Sequence, residues 1–222
     1  MTGLTSSPKL IKGGLVVLAP GGGTVRRQIA LQYNPDTLSR SYQVQGTGGD
    51  ASGGNARAQP FRLKGPAIET IKLDAEIDAT DQLADPDAHA NAVAFGIAPQ
   101  LAVLEALVNP SVDDLLGIAS QADGGTLEIL PPEAPLTLFV WSKNRVAPVR
   151  VAEFSIVEEA FDPALNPIRA KVSLGLHVMS TDDLGFTHRG GTIFLNYLRN
   201  RETLAGLTGG ASLASIGLSS LP

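Results

Sequence analysis

The chain has 222 residues, of which 43% are hydrophobic, 18% charged and 5% aromatic, and its formal net charge is −5. This length allows one large domain or two small ones with a sizeable core. The acidic balance argues against a nucleic-acid partner, and the absence of cysteine excludes disulfides and thiolate metal sites. No apolar run is long enough for a transmembrane helix, so direct membrane insertion is not expected.

The first half of the chain predicts strands separated by turns, as the 24 glycines and 15 prolines also favour. Short apolar runs place strands at 15–18, 25–33 and 38–44, and the glycine-rich segment 46–59 is interpreted as a mobile loop. The clearest strand is 68–79, because its side chains alternate with a period of two. Its apolar series is Ile71, Leu73, Ala75 and Ile77, and its charged series is Lys72, Asp74, Glu76 and Asp78.

Helices are predicted on both sides of a linker. Asp85 is expected to cap a first helix that ends at Gly96, and a second helix opens at Pro99. Residues 111–125 are interpreted as a linker with one weak helical turn. A final helix is predicted at 192–205 from the apolar stripe of Phe194, Tyr197, Leu198 and Ala205.

A long hairpin is the most informative feature of the second half. A strand at 135–141 and a turn at 142–144 lead into an extended run at 145–161, and a further strand returns at 168–179. The run has 17 residues where about 5–6 are usual, and it would reach about 55 Å. We therefore expect the hairpin to extend past its own core and to pair with a neighbouring subunit. The predicted interface residues are Phe139, Trp141, Lys143, Arg145, Arg150, Phe154, Ile156 and Phe161.

No arrangement of residues in the sequence predicts catalysis. The three histidines have no zinc-protease spacing, and neither a nucleophile elbow nor a phosphate-binding loop is present. An acidic cluster could hold a hard cation, but it lacks the spacing of a calcium loop, so helix capping and solvated acids are favoured. Its members are Asp78, Asp81, Asp85, Asp87 and His89. We predict no catalytic, metal or cofactor site, and no enzymatic activity.

Several long strings resemble, in the same order, the tube-protein N-terminal domain family of extracellular contractile injection systems, which are phage-tail-like particles. The resemblance implies an α+β, mainly β, tail-tube-like fold: a two-sheet sandwich or barrel with flanking helices, assembled as a hexameric ring. Family members are similar to the baseplate adaptor layer that joins the inner tube to the spike. The strings are KLIKGGLVVLAP, IALQYNPDTLSRSYQVQ, RLKGPAIETIKLDAEIDATDQL, APLTLFVWSKNRVAPVRVAEFSIVEEAFDPALNPIRAKVSLGLHVMS and DLGFTHRGGTIFLNYL.

The resemblance implies a ring-forming domain at 9–206, followed by a flexible or assembly-ordered tail at 207–222. Expected partners are further copies of the chain, an inner tube protein, a spike hub protein and other baseplate proteins, with assembly in the bacterial cytoplasm. Longer members carry a LysM module after this domain. No LysM module follows the domain in this sequence. We therefore expect either an adaptor whose LysM part comes from another chain or a tube-initiating ring. The alternatives are a monomeric ligand- or carbohydrate-binding β-module and, less favoured, an enzyme.

Overall fold

The computed structural model describes residues 11–19, 23–46, 63–123, 134–210, 213–217 and 219. The strands are β1 (Gly14–Leu18), β2 (Val25–Ala30), β3 (Leu38–Gln43), β4 (Ile68–Asp78), β5 (Thr137–Ser142), β6 (Arg145–Phe161) and β7 (Pro167–Val178). The helices are α1 (Thr80–Leu83), α2 (Ala90–Phe95), α3 (Ala98–Glu105), α4 (Val112–Asp123), α5 (Thr181–Leu184) and α6 (Arg189–Gly206), with a 3₁₀ turn at Leu213–Ile216.

The seven strands form one antiparallel sheet in the order β2-β1-β5-β6-β7-β4-β3. The predicted class, mainly β with flanking helices, is confirmed. Within the described residues the strands belong to a single hydrogen-bonded sheet that is not closed, with β2 and β3 at its edges. Because β-sheets twist, a single sheet of seven strands can curve so that its apolar face surrounds a core.

The central strands separate an apolar face from a polar one. Ile71 and Leu73 of β4 lie opposite Leu176 and Leu174 of β7, and all four are buried. The residues between them, Lys72 and its neighbours, lie on the other face and are exposed. The predicted alternation in β4 is therefore confirmed, since a period of two sends successive side chains to opposite faces.

Helices close the core at both ends of these strands. Phe194 and Tyr197 of α6 belong to the same buried cluster as Phe139 of β5, and so do Ile97 and Leu101 around α3. A smaller apolar cluster on the opposite face of β1 and β5 is covered by side chains of α5 and α6, and its members are Leu18, Leu136, Leu138, Leu184 and Ile193. The core thus depends on contacts between elements that are distant in sequence.

Two helix predictions are wrong in position or length. Asp85 caps no helix, because α2 begins at Ala90 after His89, although it does end at Gly96 as predicted. Gly96 has a φ of 57°, and a Cβ there would lie 2.1 Å from the carbonyl oxygen of Pro167. The predicted linker at 111–125 contains the 12-residue helix α4.

The bounds of the long strand were predicted correctly, and one of its two edges is paired within the subunit. β6 spans Arg145–Phe161. The expectation that its own domain cannot cover it is wrong for one edge, because β7 pairs with it from Val149 to Phe161. Of the predicted mobile loop at 46–59 only Gly46, which bridges to Leu63, lies within the described residues.

Two helical glycines give a matched test of the packing between α5 and α6. A Cβ on Gly191 would lie 2.1 Å from the carbonyl oxygen of Gly185, whereas a Cβ on Gly117 of α4 would meet nothing within 4 Å. We expect Gly191→Ala to lower the free energy of unfolding by about 1–3 kcal/mol through overpacking. Gly117→Ala should raise it by up to about 1 kcal/mol. Urea denaturation of both variants tests this, and equal effects would contradict the packing described.

Candidate subunit interface and arginine cleft

The strand β6 has different neighbours along its length. Residues 145–149 pair with β5, and residues 149–161 pair with β7 on the opposite edge. β5 begins at Thr137, opposite Val149, so no described strand covers the β5-side edge of β6 beyond that point. We call this uncovered edge of residues 150–161 the free edge of β6. An uncovered edge presents backbone donors and acceptors to another strand.

The direction of the backbone groups along the free edge follows from one hydrogen bond. The N–H of Met179, just after β7, donates to the carbonyl of Pro148 at 2.8 Å. Every second residue of β7 therefore also faces β6, including Ser173, which lies opposite Ser155. Phe154 and Ile156 flank Ser155, so their N–H and C=O groups point away from β7, along the free edge. Pro148 fits its position because its missing N–H costs no bond to β5.

Seven of the eight predicted interface residues lie in three environments. Lys143 and Arg150 are exposed, and Phe161 is 49% exposed at the far end of β6. Three others are partly buried against the core: Trp141, Phe154 and Ile156. Arg145 is half-buried in a cleft described below.

Phe139 requires a correction, because its side chain lies inside its own subunit. It is 1% exposed and stacks on Trp141 with ring centroids 5.9 Å apart. Trp141 in turn covers Gly13, where a Cβ would lie 2.5 Å from the indole ring. The hairpin tip is therefore packed against its own core, and the buried side chain of Phe139 helps to hold it there.

A cleft of about 390 Å³ lies beside the turn between β5 and β6. Three guanidinium groups line it, from three different elements: Arg40 of β3, Arg145 of β6 and Arg201 of α6. The rest of the lining comes from Tyr197, Ser142, Asn144 and Leu204. We call this site the arginine cleft.

Behind the cleft lies a buried carboxylate, Glu69 of β4, whose side chain is 3% exposed. Arg40 Nε donates to its Oε1 at 2.8 Å, and Arg201 Nη1 donates to its Oε2 at 3.1 Å. The hydroxyls of Tyr42 and Tyr197 donate to Oε1 at 2.7 and 3.0 Å. Four donors satisfy the carboxylate, as a buried charge requires.

Aromatic rings and burial reinforce this network. The Arg201 guanidinium lies 5.0 Å from the ring centre of Tyr42 and 5.3 Å from that of Tyr197. Burial, followed by the negative charge of Glu69, raises the pKa of Tyr197 to about 12. Burial alone would lower the pKa of Arg40, but its hydrogen bond to Glu69 and the charge of that carboxylate raise it. The Arg40 guanidinium therefore stays charged, and its contacts hold it in place.

A second, larger groove of about 530 Å³ crosses the polar face of the sheet. Lys72 Nζ lies 2.7 Å from Glu153 Oε2, and the pair spans Gly175, the residue of β7 between them. Ser173 Oγ donates to Asp74 at 2.6 Å. Because its charged groups are paired with one another, the groove offers little to recognise a ligand, which weakens the binding-module alternative.

Comparison with known proteins assigns the family. The sequence profile described as "Contractile injection system tube protein" matches residues 19–185, well over half of the chain. The chain belongs to this family. The recognised resemblance and the tube-protein function of a phage-tail-like particle are thereby confirmed.

Other comparisons add little to the tube-protein assignment. No curated protein matches the sequence. Among solved structures, one chain described as "Tail of empty GTA particle computed with helical refinement, C6 symmetry" is similar at 9% identity. The match covers 75% of the tube protein and 90% of the other chain, with a TM-score of 0.30. A TM-score this low carries no structural argument.

No helix of the described segments is both long and apolar enough to cross a bilayer. In the same segments no three His, Asp or Glu side chains are grouped to hold a metal ion. In the acidic cluster, Asp78 accepts from Thr80 N at 2.7 Å and from Arg169 Nε at 2.7 Å.

Glu69, Arg40, Arg201 and Tyr42 were not predicted as functional residues, although one sequence pattern pointed to the first. Glu69 occupies an inward position of β4, in phase with Ile71 and Leu73. A carboxylate in an apolar series predicts buried cationic or hydroxyl partners. The identity of the cationic partners depends on how α6 and β3 pack against β4, and a local sequence pattern does not predict that packing.

The raised pKa of Tyr197 makes the stability of the tube protein sensitive to alkaline pH. Because the phenol ionises near pH 10 when unfolded and near 12 when folded, its stabilising contribution is complete below pH 10 and is lost as pH rises toward 12. The wild type should lose about 1 kcal/mol of unfolding free energy relative to Tyr197→Phe between pH 9 and 11. Urea denaturation at both pH values tests this, and a constant difference would contradict it.

Proposed function

We propose that the tube protein forms a closed ring, a homo-hexamer, which joins the inner tube to the spike hub in the baseplate of the injection particle. Its task is mechanical rather than enzymatic: the ring provides a surface on which the neighbouring layers assemble. Six copies is the number that the sequence resemblance implies. The ring-forming part is residues 9–206, and the tail at 207–222 takes part in assembly contacts.

The observation that carries this proposal is the free edge of β6. Phe154 and Ile156 direct their backbone N–H and C=O groups along it, and an edge strand of another copy can complete the ladder. Addition of a strand to an uncovered edge is a common mode of protein association. Because the free edge and the added strand are different surfaces, the contact is heterologous, and repeated rotation closes such contacts into a ring.

The edge of β4 near Asp78 supports this proposal by contrast with the free edge of β6. β3 covers β4 only from Ile68 to Leu73, which leaves the edge near Asp78 uncovered by a strand. There the Gln32 side chain accepts from Asp78 N at 2.9 Å and donates to Asp78 O at 2.7 Å. A side-chain amide thus blocks that edge against strand addition. No described side chain makes such a pair of bonds to the free edge of β6.

Helix α4 supplies a second unpartnered surface. Val112, Leu115 and Leu116 follow a helical spacing and are 71%, 50% and 63% exposed. Adjacent large apolar side chains on a monomer indicate a protein contact. The ring proposal gives this stripe a cover, either a neighbouring copy or an adjacent layer of the particle.

A proline substitution tests the free edge without breaking the internal ladder. Ile156→Pro removes an N–H that faces the free edge, and Ile156→Ala removes the same side-chain packing but keeps the N–H. We expect both variants to fold, as judged by circular dichroism. Ile156→Ala should still form rings under the electron microscope, and Ile156→Pro should not.

The control for misfolding is Ser155→Pro, whose N–H faces β7, so that this variant should lose stability by about 3 kcal/mol or more. Rings formed by Ile156→Pro as readily as by Ile156→Ala would remove the proposal. The same conclusion would follow if both variants failed equally, because side-chain packing would then explain the loss.

A further inference from the structure

The arginine cleft carries more positive charge than the described residues neutralise. Arg40 and Arg201 share the single carboxylate of Glu69, whose oxygens already accept four hydrogen bonds. Arg145 forms no ion pair with any described residue. Three guanidinium groups against one saturated carboxylate leave a surplus of two positive charges at a site whose volume, about 390 Å³, is typical of ligand clefts.

The fixed geometry of two arginines makes the cleft a prepared receptor. Glu69 and the rings of Tyr42 and Tyr197 hold Arg40 and Arg201 in place, so that little side-chain entropy is lost when a ligand binds. Planar guanidinium groups match carboxylates in geometry as well as charge. The chemistry of the cleft therefore favours a ligand that presents carboxylates.

The opposite end of the same strand presents carboxylates. Glu158 and Glu159 lie near the end of β6 and are exposed, and neither is within ion-pair distance of a described cation. The hydrogen bond to Asp78, and more weakly the charge of Glu159, raise the pKa of Arg169 on the neighbouring strand, so part of the acidic charge at this end is already compensated. Arg145 begins β6, so the two groups of opposite charge are about 40 Å apart along one strand. Further acids follow β4 at this end: Asp81, Asp85 and Asp87, all exposed.

We propose that the arginine cleft of one copy binds the Glu158–Glu159 end of a second copy, so that copies join head to tail along the direction of β6. The inference deepens the proposed ring function, since it gives each ring a basic and an acidic face. Charge complementarity over this distance cannot be satisfied within one chain, because a strand cannot bring its own ends together. The contact is heterologous and therefore propagates from copy to copy.

The test uses two full-length variants that disable opposite halves of the contact. Arg145→Glu disables the cleft and keeps the acidic end, whereas Glu158→Arg/Glu159→Arg does the reverse. Each variant alone should lose at least tenfold in its self-association constant, measured by sedimentation velocity at 50 mM salt. An equimolar mixture should form a one-to-one complex, because one intact cleft and one intact acidic end remain.

A matched control sharpens the result. Arg199→Glu makes the same charge change at an exposed position of α6 that does not line the cleft, and this variant should associate like the wild type. The inference is overturned if the mixture stays monomeric, if Arg145→Glu alone associates like the wild type, or if the wild type itself does not associate at 1 mM.

The two proposals fail separately. If Arg145→Glu has no effect on closed rings, the head-to-tail contact is wrong and the ring function is retained. If the two variants complement each other in the mixture but the wild type forms no ring, the ring function is wrong and the head-to-tail contact is retained, since that contact needs only two copies.

Discussion

The architecture depends on one strand that is longer than any single partner. β6 joins the half of the sheet that contains β5, β1 and β2 to the half that contains β7, β4 and β3. β5 covers only its first residues and β7 covers the remainder on the other edge. Because the two partners lie on opposite edges, no described strand covers the backbone groups on the β5 side of β6 from Arg150 onward. Strand length therefore produces both the continuity of the fold and its capacity to take a further strand.

Two sets of contacts, at the tip of the hairpin and at the buried carboxylate, hold neighbouring elements of the fold together. Trp141 packs on Gly13 and stacks on Phe139, so the turn after β5 is held against its own core. Glu69 connects β4 to β3 and α6 through two arginines and two tyrosines. The buried charge of Glu69 thus also orients the two arginines of the cleft, so the packing of the core and the geometry of the cleft depend on the same residue.

Local patterns in the sequence predicted the strands but not their neighbours. The alternation in β4 and the bounds of β6 follow from side-chain periodicity, which is a property of each strand alone. β6 could pair with a strand of its own subunit or with a strand of another copy. The side-chain periodicity of β6 is the same in both cases, so it does not predict the pairing with β7. Helix α4 was missed although a capping pair was present: Asp114 N donates to Ser111 Oγ at 3.1 Å, and Ser111 Oγ donates to Asp114 at 2.6 Å.

The same distinction explains the candidate site. Arg145 was expected at a subunit contact because of its place in the hairpin, and the cleft gives that expectation a chemical form. Phe139, three residues before the turn, was expected at a subunit contact in the same way, but the register of β5 places its side chain in the core. Arg40 and Arg201 are 161 residues apart and meet only because α6 lies against the inner face of the sheet.

Backbone hydrogen exchange at the free edge measures the central claim most directly. In the isolated subunit the amides of Phe154 and Ile156 face no described partner, and they should exchange quickly, while that of Ser155, bonded to β7, should be protected. In assembled particles all three amides should exchange slowly, because a neighbour's strand completes the ladder. Fast exchange at Phe154 and Ile156 after assembly would show that copies join elsewhere and would contradict this account.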